Sequence, residues 1–251
     1  VVAEKYLESH SAPEAASSNA ANPSASFNRF LELPIELREV IWELGTHGTV
    51  HRNGSYLITP VEVRDYVKAP NKVERPYFLP PMCRVSKSTM SETTGVFVRN
   101  SEFMIASYND NLLLDSYLKT VPKGYEAIRL IHFAFFDCFP EGFPQNADLE
   151  LAVRCTGLRT IKIRFHSTRL IVWVLLGDYD DGLTCRPRRI DEMWAHYKFA
   201  RLLECVNLQN LIIERKGCNL DAALEASENL GIRIQEEYLR KNQRTLNVTL
   251  I

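Results

Sequence analysis

A chain of 251 residues, 45% hydrophobic and 24% charged, has an ordinary globular composition and enough length to enclose a full core. Thirty Lys and Arg side chains nearly cancel 31 Asp and Glu, leaving a net charge of −1, which excludes a general attraction to nucleic-acid backbones or anionic membranes. No apolar run is long enough to span a bilayer; Leu170–Gly177 reads instead as a buried strand or short buried helix.

Residues 1–26 are Ala, Ser, Pro and Asn-rich after a short helical turn, and are expected to be a disordered or linker arm. The stretch Phe27–Leu44 follows, with a helix that opens near Pro34 and Phe30 and Leu33 placed just ahead to pack under its first turn. Pro34 suits its first turn, and Leu37, Val40, Ile41 and Leu44 recur at helical spacing, predicting an apolar stripe that faces a core. If that stripe is core, Trp42→Ala or Ile41→Ala costs about 2–5 kcal/mol. Asn53-Gly54 is a hairpin turn signal, and Val61, Val63 and either Tyr66 or Val67 suggest a further extended piece. Met82–Phe97 reads as a second helix. Phe103-Met104-Ile105 and Leu112-Leu113-Leu114, joined through Tyr108–Asn111, read as a hairpin.

The second half contains an internal echo. Leu151–Ile163 aligns with Arg201–Ile213, superposing Cys155 on Cys205, Leu158 on Leu208, Ile161 on Leu211 and Ile163 on Ile213. Each copy reads as a helix end, a turn and an alternating strand, and Tyr125–Phe135 is a weaker version. The fold class is therefore α/β: an N-terminal helix with a small sheet, then irregular strand–helix repeats that form a leucine-rich-repeat-like solenoid or a single layered sheet. Ile190–Glu204 is expected to be an amphipathic helix, followed by one helix from an Asp221 N-cap and another near Arg233–Lys241. A last strand places Leu246, Val248 and Leu250 on one face.

The pattern formed by Phe30, Leu33, Pro34, Glu36, Leu37, Arg38, Ile41 and Trp42 resembles the opening of an F-box. It is similar above all to the fungal F-box-like two-ExR family, whose second element is matched in degenerate form by Cys83-Arg84-Val85-Ser86-Lys87. The likeness covers roughly residues 27–117, leaving 118–251 as a strand–helix repeat region packed on that module as one globular unit. The resemblance implies a non-enzymatic substrate adaptor of a cullin–RING ubiquitin ligase. Its docking residues on a Skp-type subunit would be Leu33, Pro34, Ile35, Glu36, Arg38 and Trp42. No cofactor or nucleic-acid partner is implied, and the chain is expected to be a monomer outside complexes.

Other chemistry is weakly signalled. His47 and His51 are four apart but lie among glycines and lack any further metal-ligand motif. Asp178, Asp180 and Asp181 approximate a calcium loop, with Arg189 where a bidentate Glu belongs. No serine-hydrolase elbow, P-loop or dinucleotide fingerprint occurs, so an enzyme would need a Cys–His site assembled by the fold, such as Cys83 or Cys138 with His132. Arg186, Arg188 and Arg189 form a candidate basic patch for an acidic partner. Six scattered cysteines predict reduced thiols and a cytoplasmic or nuclear setting. The alternative is a secreted binding or effector-type protein, for which the start at Val1 and sequons at Asn53 and Asn247 would matter.

Overall fold

Strands built from alternating aliphatic residues pair most readily with strands of the same pattern, and here they do so in register over most of the chain. The computed structural model describes residues 30–46, 56–68, 78–175, 183–218 and 220–251. Residues 1–38 and 39–251 form separate units. The helices are α1 (Ile35–Thr46), α2 (Pro60–Lys68), α3 (Lys87–Asn100), α4 (Tyr108–Thr120), α5 (Gly124–Ala127), α6 (Ala147–Arg154), α7 (Ile190–Tyr197) and α8 (Asp221–Asn242). The strands are β1 (Tyr56–Ile58), β2 (Ser101–Ile105), β3 (Leu130–Phe133), β4 (Thr160–His166), β5 (Ile171–Leu175), β6 (Leu183–Pro187), β7 (Asn210–Lys216) and β8 (Asn247–Leu250).

Six strands make one sheet in the order β1-β2-β3-β4-β7-β8, and every neighbouring pair is parallel. Because spatial order follows chain order, right-handed crossovers send the connecting helices to a single face. The strand residues turned toward them form buried ladders: Ile58, Phe103, Ile131, Ile161 and Leu211 in one, and Ile105, Phe133, Ile163 and Ile213 in the next. The fold is thus α/β, a repeat-like parallel layer. β2 and β3 pair across position 117, so one sheet runs through both halves of the chain.

The echo is present in detail. Ile161 pairs with Leu211 and Ile163 with Ile213. Cys155 and Cys205 end their helical turns with φ/ψ of −76°/75° and −75°/73°. Leu158 N–H bonds Cys155 O at 2.9 Å, and Leu208 N–H bonds Cys205 O at 3.0 Å.

Several local expectations are corrected. The supposed hairpin at Phe103–Leu114 is strand β2 followed by helix α4. Ser107 Oγ accepts the N–H of Asp110 at 3.3 Å and donates to its carboxylate at 2.7 Å, so the polar run is a helix start. Leu114, Tyr117 and Leu118 then bury one helical face. The extended piece at Val61–Val67 is α2. Thr59 N–H and Oγ1 both bond Glu62 Oε2, at 2.8 and 3.0 Å, and Pro60 opens the first turn. The second helix divides into a 3-10 turn at Pro81–Arg84 and α3, capped by Ser86 Oγ on Thr89 N–H at 3.1 Å. The Ile190–Glu204 helix ends at Tyr197, where Lys198 turns left-handed (φ 59°), and resumes as a 3-10 turn.

The two C-terminal helices are one. Leu220, not Asp221, is its N-cap, and Gly231 does not break it. A Cβ at Gly231 would lie 3.1 Å from Val248 Cγ1, so the glycine serves the close approach of α8 to β8. Strand β5 pairs antiparallel with β6 apart from the main sheet. Leu170 and Ile171 are buried, but Trp173 is exposed, so the apolar run is covered only at its base. The Asn53-Gly54 turn, His47, His51, Asp178, Asp180, Asp181 and residues 1–26 lie outside the described residues. Among the described residues no helix is long and apolar enough to cross a membrane.

Candidate functional site

Helix α1 begins where Pro34 O accepts the N–H groups of Leu37 and Arg38, both at 3.1 Å. Proline costs nothing there, because a first-turn N–H has no helical acceptor. The expected core-facing stripe is the opposite of what is observed. Ile35 is 53% exposed, Leu37 52%, Val40 52%, Ile41 37% and Leu44 74%, whereas Trp42 is 6% exposed. The inward side is carried by Trp42, whose Nε1 donates to Glu92 Oε2 at 3.3 Å, and by Thr46, whose hydroxyl returns to Glu43 O at 3.2 Å. The Trp42 indole helps anchor the helix, while Val40, Ile41 and Leu44 on its other side stay exposed. Of the residues singled out by the sequence, Pro34, Ile35 and Glu36 are exposed, Leu33 and Arg38 are half-buried, and Trp42 is enclosed.

The second feature was not anticipated. On the sheet face opposite the buried ladders, β2, β3, β4 and β7 place Glu102, His132, Lys162, Arg164 and Glu214 in a continuous ionic row. Lys162 Nζ binds both Glu102 oxygens at 2.9 and 2.8 Å. His132 Nδ1 lies 3.4 Å from Glu102 Oε1, and its Nε2 lies 3.3 Å from Glu214 Oε2. Arg164 closes the row, with Nε 2.9 Å and Nη2 2.8 Å from Glu214 Oε2.

Burial works against a charged imidazole, but the two carboxylates outweigh it and raise the His132 pKa. Contact with His132, aided by Arg164 against partial burial, holds Glu214 down at about 2. Burial likewise opposes ionisation of Glu102, and the imidazole and Lys162 together overcome it. The row is electrostatically closed: each charge faces an opposite one. The alternation of TIKIRFH at Thr160–His166 and the echo's register, which pairs Arg164 with Glu214, are the signals that could have revealed it.

The structure does not bring the considered Cys–His pairs into one site. His132 interacts with Glu102, Glu214 and Arg164, Cys138 with Asp137 and Arg169, and Cys83 with Thr93 and Arg84. Burial pushes the Cys83 and Cys138 thiols up, and raises Cys205 to about 12, disfavouring the nucleophilic thiolate. All six cysteines are free. Among the described residues no group of three or more His, Cys, Asp or Glu side chains is placed to hold a metal ion.

In the basic segment Arg186 is exposed on β6. Arg188 is half-buried, with its Nε lacking a hydrogen-bond partner among the described residues, and Arg189 lies 4.0 Å from Glu192 at the start of α7. Arg188 adds its charge to the burial that lowers the His196 pKa. Its side chain is thus partly engaged inside the fold, which leaves Arg186 and Arg189 as the exposed members. Comparison with protein-family models, curated proteins and solved structures gives no match, so the functional reading rests on the chain's own geometry.

Proposed function

We propose that the chain is a protein-interaction module of the F-box-like kind, in which α1 docks on a Skp-type subunit of a cullin–RING ubiquitin ligase. The observation that carries this reading is the exposed aliphatic ridge of Val40, Ile41 and Leu44 on α1, with Leu37 also exposed in the preceding unit. Large aliphatic side chains exposed along one helix face are costly to leave in water, and such surfaces commonly mark protein contacts. Pro34, Glu36 and Arg38 are among the motif residues that the family resemblance assigns to docking. The parallel layer beyond it would present the client, and the free cysteines accord with a cytoplasmic or nuclear setting.

Co-purification with a purified Skp-type subunit tests the proposal. Wild type is expected to be retained at micromolar concentration. The double variant Leu37→Glu, Leu44→Glu is expected to lose at least tenfold in affinity while unfolding at the same temperature, because neither side chain is buried. No retention of wild type, or equal retention of the variant, defeats the reading.

A further inference from the structure

The sheet register aligns the residues that lead into successive strands. Arg129 precedes β3, Arg159 precedes β4 and Gln209 precedes β7, and the pairing of Leu130 with Thr160 and of Thr160 with Asn210 sets the three side by side. Neighbouring strands are roughly 4.8 Å apart, so these side chains share one short edge. Arg99, in the last turn of α3, joins them from the β2 side. With Asn100 and Asn210 they line a cleft of about 570 Å³, within the size range of small-molecule sites.

The lining is rich in donors and holds no carboxylate. Arg129 is fixed: its Nη1 donates to Gly157 O at 2.8 Å and to Ile128 O at 3.3 Å, and also to Glu126 O. A Cβ on Gly157 would lie 2.1 Å from that nitrogen, so the glycine is part of the seat. The exposed Arg159 side chain makes no ion pair or hydrogen bond among the described residues. Arg99 reaches Glu39 only at 3.8 Å, and Arg99 Nε and Asn100 Nδ2 are buried atoms without a hydrogen-bond partner among the described residues. Burial lowers the Arg129 pKa, and the neighbouring charges of Arg159 and Arg99 lower it further.

We propose that this cleft binds a small phosphorylated ligand, whose phosphoryl oxygens accept hydrogen bonds from Arg99 and Arg159 beside the fixed charge of Arg129. A single carboxylate would leave two guanidiniums uncompensated, whereas a phosphoryl group brings about two charges and three acceptor oxygens to one point. The site touches α1 only through the Arg99–Glu39 contact and uses none of the residues assigned to docking.

Isothermal titration of the full chain with pyrophosphate, at ionic strength held constant with chloride, tests it. Saturable binding with a submillimolar Kd is expected. Arg159→Gln and Arg99→Gln should each weaken it about tenfold or more. Arg159→Gln carries the test most cleanly, because its side chain is exposed and has no partner among the described residues, and an unchanged melting temperature would certify its fold. Failure to saturate below about 10 mM, or an affinity in both variants equal to that of wild type, overturns the site. Citrate binding as tightly as pyrophosphate overturns the phosphoryl assignment and makes the ligand a polycarboxylate.

Discussion

His132 lies between Glu102 and Glu214, and the three titrate against one another with consequences of opposite sign. Glu214 is held at about 2 in the folded chain against an ordinary value of 4.5, so its contribution is complete above the ordinary value and is lost as pH falls toward 2. With the side chain 19% exposed, that shift corresponds to on the order of 3 kcal/mol. His132 is raised above 6.5, so its contribution is complete below that value and is lost as pH rises through the folded pKa. Asp148 acts in the same direction: burial, opposed by the Asn111 amide, lifts it from 3.8 to about 6, so stability is lost as pH rises between those two values. Urea midpoints should therefore peak near about pH 5 and fall on both sides. Glu214→Gln should flatten the acid limb and lower the His132 pKa measured by NMR; an unaltered acid limb would contradict the coupling. Trp42 supplies a second contrast at this scale. Trp42→Ala should cost about 3–5 kcal/mol by denaturant unfolding, whereas Leu44→Ala should stay within about 0.5 kcal/mol. Equal losses would mean that the ridge is packed after all.

At the scale of elements, the two copies of the echo need outside help at the same point, the turn between helix end and strand. In the first copy the Arg129 guanidinium takes up Gly157 O at 2.8 Å. In the second, the fully buried Tyr238 of α8 places its hydroxyl 2.8 Å from Cys205 O and 3.0 Å from Leu208 O. Tyr238→Phe keeps the packing and leaves a buried carbonyl without that donor, at a cost of about 1–2 kcal/mol by thermal or urea unfolding. A neutral result would show that water reaches the turn. The echo itself was legible in the sequence, because period-two strands such as Ile161–Ile163 and Leu211–Ile213 write their burial directly into the residue order. Helices α2 and α4 were not, since their starts depend on Glu62 and Asp110 reaching back to Thr59 and Ser107, which a run of turn-forming residues conceals. The stripe of α1 was legible as a helix but misassigned in direction: spacing defines a face, and only tertiary contacts decide which side meets the core. The ionic row was hidden for a related reason, since its members come from strands whose register had to be known first.

For the whole molecule, a sheet whose strands follow chain order distributes support unevenly. β2, β3, β4 and β7 each have two hydrogen-bonded neighbours, whereas β1 and β8 have one apiece. The buried ladders are continuous through Ile131, Ile161 and Leu211, and both ends of the layer carry short strands, Tyr56–Ile58 and Asn247–Leu250. Contacts in such a layer are dominated by nearest neighbours, so opening from an end disrupts one interface and opening from the middle disrupts two. Native-state hydrogen exchange should therefore rank β4 amides slowest, with β3 and β7 close behind, and β8 faster by a factor of about ten or more. The paired Asn247 N–H on Gln209 O, at 2.9 Å, should exchange before Asn210 N–H on Arg159 O, also at 2.9 Å, although the two bonds are geometrically alike. Protection of β8 equal to that of β4 would mean that the layer opens only as one cooperative body, and that its ends are locked by α8 through the close approach at Gly231.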